Sequence, residues 1–233
     1  MNLHAMNSGP VCAYFMRSRG LFGLIFSAFL LGGCSALPDK PLRASLYDFG
    51  PGNLTTQAAT SQATPNALPA LALDDITTSG GALDNQAVLY RLTYLDAQQL
   101  RPYSQARWAT PPAQLVRQRF KEQLGQRRSI VEARGSLALN RNQNAALPLL
   151  LRLDLEEFSH VFTSPEASVG LIRLRATLIE QAASGEKLLA QRSVVVQRPA
   201  LTADAPGGVR ALTAATDAAI EEIEAWLQQS RPR

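Results

Sequence analysis

The sequence predicts an α+β domain of two layers, a largely antiparallel sheet covered by two main amphipathic helices. Three observations carry that expectation. Leu149, Leu151, Leu153 and Leu155 alternate with Arg152, Asp154 and Glu156, which is the period-two pattern of a half-buried strand. Ile172, Leu174, Ala176 and Leu178 repeat it against Arg173, Arg175 and Thr177, and the turn composition of Ala183-Ser184-Gly185-Glu186 leads into Leu188 to Gln197, closing a long antiparallel hairpin. Two other stretches carry the helical period, with apolar residues three and four apart. One apolar sheet face and two apolar helix stripes bury each other in a two-layer arrangement.

At the amino end, Arg17 and Arg19 precede an apolar run from Leu21 to Leu31 and the tetrapeptide Leu31-Gly32-Gly33-Cys34. A charged start followed by a short apolar run is the form of a secretory signal. The run is too short for a membrane helix, which needs about 20 apolar residues. An ordinary signal ends in an A-x-A-like site. Leu31-Gly32-Gly33-Cys34 instead resembles the lipobox, in which the cysteine thiol takes a diacylglyceryl group and the new amino terminus is then acylated. Cleavage before Cys34 makes residues 1–33 a signal peptide, 34–44 a lipidated tether and 45–230 a single domain. Met16-Arg17-Ser18-Arg19 also has the form of a signal start, so Met16 is an alternative beginning to Met1.

The tether, Ser35 to Ala44, is polar and punctuated by proline; at about 3.3–3.6 Å per residue it spans some 35 Å when extended, which keeps the domain near its membrane. Leu46-Tyr47-Asp48-Phe49 alternates as a short strand and stops at Gly50-Pro51-Gly52, and Asn53 to Pro69 has loop composition. Ala70 to Ile76 and Ala87 to Leu92 are short strand candidates separated by a turn at Thr77-Thr78-Ser79-Gly80-Gly81. Tyr94 to Trp108 has a weaker strand signal. Thr110 is placed to cap a helix with Pro111 at its first position and Leu115, Val116, Phe120 and Leu124 on its apolar stripe, down to Gly125. From Val209 to Gln229 a second helix sets Leu212, Ala215, Ala219, Ile223, Trp226 and Leu227 on one stripe.

Composition excludes several classes of function. Removing residues 1–33 takes away two of the 23 Lys+Arg and none of the 19 Asp+Glu, so the net charge falls from +4 to +2. Nothing resembles the dense basic patch that phosphate neutralisation requires, and nucleic acid is not an expected partner. Cys12 lies before the cleavage point and Cys34 is reserved for lipid, so no disulfide framework is available.

His160 is the single histidine after the cleavage point, and it follows Glu156, Glu157 and Phe158 at the expected strand end. It reads as a solvated or hydrogen-bonded histidine, since no G-x-S-x-G elbow or other serine motif accompanies it. With one histidine and no free thiol, a zinc site is not expected. Glu156-Glu157 and Asp74-Asp75 are adjacent acidic pairs whose members point to opposite faces of a strand unless a bulge turns them, which makes them solvated charges. Asp204-Ala-Pro-Gly-Gly208 lacks both G-x-G-x-x-G and a P-loop lysine and reads as a helix lead-in. The expectation is of no catalytic residue, no metal and no cofactor.

Tyr90, Tyr94, Tyr103 and Trp108 lie beside Arg91, Arg101 and Arg107. Aromatic and arginine side chains are enriched at protein interfaces. Tyr103 and Trp108 are therefore the candidate partner surface, the alternative being that they pack between sheet and helix.

The order of lipobox, Leu-Tyr-Asp-Phe strand, Tyr90-Arg91-Leu92, Leu100-Arg101-Pro102-Tyr103 running to Trp108, Pro111-Pro112 before a helix, and a terminal helix ending near Trp226-Leu227 resembles the ABC-type transport auxiliary lipoprotein family. The resemblance spans nearly the whole chain after Cys34. It implies a non-catalytic periplasmic lipoprotein that assists a transporter with a mammalian-cell-entry-domain protein and an ABC permease and ATPase, moving phospholipid between the two membranes. Ser35 after the cysteine, where aspartate would retain the protein, implies the inner leaflet of the outer membrane. Direct phospholipid binding and a homo-oligomer are left open. A different binding module with the same anchor and size, an assembly lipoprotein for outer-membrane protein or lipopolysaccharide machinery, stands as the alternative.

Overall fold

The computed structural model describes residues 43–52, 68–133, 147–182 and 185–230. In chain order these form β1 (Ser45–Tyr47), β2 (Leu71–Leu73), β3 (Thr77–Thr78), β4 (Ala87–Leu92), β5 (Asp96–Trp108), α1 (Pro112–Gly125), β6 (Ile130–Glu132), β7 (Leu149–Phe162), β8 (Ser168–Ala182), β9 (Gly185–Pro199) and α2 (Ala205–Gln229). Over the described residues the fold is α+β, with one mixed sheet and two long α-helices.

β7 is the strand around which the sheet is built. Along one edge it pairs antiparallel with β8 from Leu150↔Ile179 to Phe162↔Ser168, and β8 pairs antiparallel with β9. The other edge is shared by three shorter strands in turn. β2 lies against Leu149 to Leu151, β3 against Asp154 and Leu155, and β4 against His160 to Phe162, all parallel to β7. β5 then runs antiparallel to β4, β1 parallel to β5, and β6 parallel to β2. The long ladders are antiparallel, as the alternating sequence patterns require, and the short ones are parallel because β2, β3 and β4 advance along β7 in its own direction.

The inward face of the sheet and both helices close the main core, and Ala72, Leu150 and Ile179 form a second, smaller buried cluster. Leu151, Leu153 and Leu155 of β7, Ile172, Leu174, Ala176 and Leu178 of β8, and Val194 and Val196 of β9 share a cluster with Leu115, Val116, Phe120 and Leu124 of α1 and with Leu212, Ala215, Ala219, Ile223, Trp226 and Leu227 of α2. Every apolar residue expected on the two helix stripes is buried. The helices are joined by Arg119, whose Nε and Nη2 donate to the two carboxylate oxygens of Asp217 at 2.7 and 3.0 Å, with Gln123 Nε2 donating to the same group at 2.6 Å. The hydrogen bond to Asp217 raises the Arg119 pKa above its ordinary value.

The structure corrects several local expectations. Pro112, not Pro111, is the first residue of α1; Pro111 is its N-cap and no side chain caps it, so Thr110 does not act there. Thr77 and Thr78, expected in a turn, pair with β7 as β3, where the Thr77 hydroxyl bonds the Asp154 carboxylate. β7 continues to Phe162, seven residues past Leu155, so His160 is inside a strand. Asp204 to Gly208 does lead into α2 as expected: Asp204 is the N-cap, its carboxylate accepting from the Gly207 N–H at 2.8 Å. A bulge between Leu155 and Glu157 breaks the alternation, and the acidic pair is ion-paired: Glu156 with Arg175, Glu157 with Arg91. Most of the expected loop, Asn53 to Pro69, lies outside the described residues, as does the whole of 1–42.

Candidate functional site

The aromatic and arginine residues of β4 and β5 fall into three different environments. At the far end of β5, Ala106 and Trp108 are buried, and β1 pairs alongside them in the sheet, with Tyr47 in register with Trp108. Trp108 is 0% exposed, its ring set edge-on to Phe49 at 5.7 Å and tilted on Phe158 at 5.6 Å. It is a core residue and not part of a partner surface, because its ring is wholly buried against Phe49 and Phe158.

In the middle of β5, Tyr103 is partly exposed and lies over Tyr90 with ring centroids 4.6 Å apart. Its hydroxyl meets Nδ1 of His160 at 2.9 Å. The His160 ring in turn packs on Phe162 at 4.4 Å, and Tyr90 on Phe162 at 6.1 Å. The layer takes its residues from three neighbouring strands because Tyr90 is in register with His160 on one side and Arg101 on the other. The arginines beside it are engaged within the fold. Arg91 forks onto Glu157 with both contacts at 3.2 Å, Arg101 bonds Gln99, and Arg107 donates to the backbone carbonyls of Tyr103 and Ala106.

His160 is 0% exposed, and its Nε2 has no hydrogen-bond partner among the described residues. Burial lowers its pKa from 6.5 to about 4, against the opposing field of Asp204, so the imidazole is neutral near neutral pH. The start of α2 closes over it. A Cβ built on Gly208 would lie 2.4 Å from Nδ1 of His160, and one on Gly170, across from His160 on β8, would lie 2.4 Å from the backbone of Ala211 and Leu212. Two glycines, one on the helix and one on the sheet, therefore set how closely the layers approach. Burial also pushes the Tyr103 phenol well above its ordinary pKa, with further repulsion from Tyr90 and Asp204. The hydrogen bond from Thr202, followed by the Gly207 N–H, holds Asp204 below the usual carboxylate range.

This arrangement joins strands and orients a helix; the imidazole that sequence reading singled out is sealed beneath α2. Among the described residues no group of three or more His, Cys, Asp or Glu side chains could hold a metal ion, and no helix is long and apolar enough to cross a membrane.

Sequence reading missed a buried ion pair. Arg128, just after α1, donates from Nη2 to Glu224 of α2 at 2.6 Å, with side chains 1% and 9% exposed. Arg128 also lines a cavity of about 420 Å³ with Leu71, Leu149, Leu178 and Leu227. Glu224 interrupts the apolar stripe of α2 and was the one available signal.

The exposed members of the aromatic region lie elsewhere, in the turn between β4 and β5, where Tyr94 is 41% and Leu95 67% exposed. Cys34 and the residues Leu31, Gly32 and Gly33 expected to direct its processing lie outside the described residues.

Compared with known families, residues 53–224 match the model of the ABC-type transport auxiliary lipoprotein component. Among solved structures, protein XCC0632 from Xanthomonas campestris, a DUF330 family member, is similar with a TM-score of 0.56 and 16% identity, covering 69% of this chain and 85% of that one. A second, an uncharacterized protein, has a TM-score of 0.55 and 13% identity, covering 79% of this chain and 99% of its own. At these identities the likeness is one of fold. No curated protein matches the chain.

Proposed function

We propose, because the chain belongs to the ABC-type transport auxiliary lipoprotein family over residues 53–224, that it is a non-catalytic, lipid-anchored accessory subunit of an ABC-type lipid transport system containing a mammalian-cell-entry-domain protein. The family match is the observation that carries this reading. Cys34 is the acylated residue and Leu31-Gly32-Gly33 its processing motif, residues 34–44 are the tether, and 45–230 are the periplasmic domain. The anchor sits in the inner leaflet of the outer membrane, consistent with Ser35 after the cysteine. The partners are the mammalian-cell-entry-domain protein and the permease and ATPase, the last supplying the energy, and the cargo is phospholipid.

The sealing of His160 supports the non-catalytic role, since a general base must come within hydrogen-bond reach of a substrate proton. Genetic epistasis tests the assignment. Deleting this chain and deleting the mammalian-cell-entry component should slow phospholipid movement between the membranes to the same degree, and the double deletion should be no worse than either. Additive defects would place the two proteins in separate processes and overturn it.

A further inference from the structure

Three apolar side chains stand in solvent at one end of the sheet. Tyr94 and Leu95 are in the β4–β5 turn, and Leu201, 87% exposed, is in the connection from β9 to α2. Both loops are fastened to the end of the same hairpin. The Thr93 N–H donates to the Phe162 carbonyl at 3.0 Å and the Ala200 N–H to the Ser168 carbonyl at 2.9 Å, and Phe162 and Ser168 are cross-strand partners. From β4 through β7 and β8 to β9 is three strand spacings, about 14 Å, so the three side chains share one narrow tip.

Turns favour Gly, Pro, Asn, Asp and Ser, and a single exposed leucine needs no explanation. Two leucines and a tyrosine projecting from two loops at one end of the sheet, on either side of the polar β7–β8 loop of residues 163–167, are a different matter. At the opposite end of the β8–β9 hairpin one leucine, Leu188, is exposed, but it stands beside Glu186 and Lys187, each in an ion pair, so there a single apolar side chain lies among charges.

The direction in which the chain enters the fold selects the occupant. β1 is parallel to β5 with Ser45 opposite Ala106, so backwards from Ser45 the chain points along the open edge of β5 towards Asp96, beside Leu95. Asp96 and Arg107 lie opposite Leu92 and Ala87 in a bulged ladder, and those two residues of β4 are five apart, about 17 Å. The ten residues Ser35 to Ala44 reach about 35 Å when extended, more than that span. The tether is thus long enough for a membrane holding Cys34 to reach the tip.

We propose that Tyr94, Leu95 and Leu201 seat in the interfacial layer of the bilayer that carries the lipid anchor. The tyrosine presents a ring to the acyl boundary and a hydroxyl to the headgroups, as aromatic residues do at membrane interfaces. The acyl chains supply attachment, so the tip supplies orientation: it stands the long strands away from the membrane and turns the Glu186–Lys187 end towards the periplasm.

This rests on the acylation of Cys34, and the test separates the two. The full processed lipoprotein is reconstituted into vesicles of phosphatidylethanolamine and phosphatidylglycerol doped with bromine-labelled phosphatidylcholine. Leu95→Trp, Leu201→Trp and, at the other end, Lys187→Trp are compared with the parent, whose Trp108 and Trp226 are 0% and 7% exposed and provide a protected background. The three variants substitute solvent-exposed positions, and circular dichroism checks their fold; if one tip variant fails it, the other reads the same end. The expected result is that bromolipid removes most of the emission added at positions 95 and 201 and leaves that added at 187. Vesicles that float with the protein but do not quench the tip tryptophans, or that quench position 187 equally, overturn the proposal, leave the anchor intact and make the apolar tip a protein-docking surface. Failure to float overturns the anchor and the tip together.

Discussion

The hydroxyl of Tyr103 lies 2.9 Å from Nδ1 of His160, and the contact joins β5 to β7 across the intervening β4. Gly208 of α2 packs on the same imidazole. One buried side chain thus registers the β4–β5 hairpin and the long helix at the same point.

Stability should depend on pH through His160. Its pKa falls from 6.5 to about 4 on folding, so between those values the unfolded chain binds a proton that the folded one refuses. The sign follows: stability is fully present above about pH 6.5 and is lost as pH falls towards about 4, by up to roughly 3 kcal/mol. Urea unfolding across this range should show that slope in the parent and a flatter one in His160→Gln. Tyr103→Phe, which leaves Nδ1 unpaired, should cost about 1–2 kcal/mol. Equal slopes in parent and His160→Gln would mean that the buried ring does not stay neutral.

The two glycines give a prediction of sign. Replacing a helical glycine by alanine normally gains about 1 kcal/mol. Gly208→Ala should instead destabilise, because its Cβ would fall 2.4 Å from His160 Nδ1. Gly170→Ala should cost more, since its Cβ meets the backbone of Ala211 and Leu212, which cannot rotate aside. Thermal unfolding of both variants checks the order, and a stabilised Gly208→Ala would show that α2 can lift off the sheet freely.

Arg128 and Glu224 form a buried pair whose single replacement leaves a charge in the core. Glu224→Ala should cost about 3–5 kcal/mol, while Arg128→Met combined with Glu224→Leu should be close to neutral. Denaturant midpoints of the single and double variants distinguish the pair from ordinary packing, which would make the double variant the worse of the two.

Long periodic segments were legible in the sequence and short ones were not, for a physical reason. Phe120 on α1, Leu212 to Leu227 on α2 and Leu151 to Leu155 on β7 each repeat a period often enough to declare a buried face. β6 has only Ile130-Val131-Glu132 and β3 only two threonines, so each is a strand solely because β2 or β7 offers an open edge. Past Leu155 the bulge shifts the alternation, which is why His160 reads as a strand end when it is buried mid-sheet. Trp108 and Tyr103 are both aromatic and five residues apart on β5, and only the packing of Phe49 and Phe158 on Trp108 makes that one core.

Cys34→Ser should abolish lipid labelling and leave a precursor of unprocessed size, because no thiol remains to accept the diacylglyceryl group. Metabolic labelling with a fatty acid, read on a gel beside the wild type, checks it. Wild-type processing and labelling of the variant would remove Cys34 as the anchor.

The most direct measurement is capture of the tagged, full-length lipoprotein from crosslinked membranes, with the recovered proteins identified by mass spectrometry. Enrichment of a mammalian-cell-entry-domain protein with its permease and ATPase over an untagged control is the expected result. Recovery instead of outer-membrane protein or lipopolysaccharide assembly machinery, with no transporter subunit enriched, would contradict the role in lipid transport.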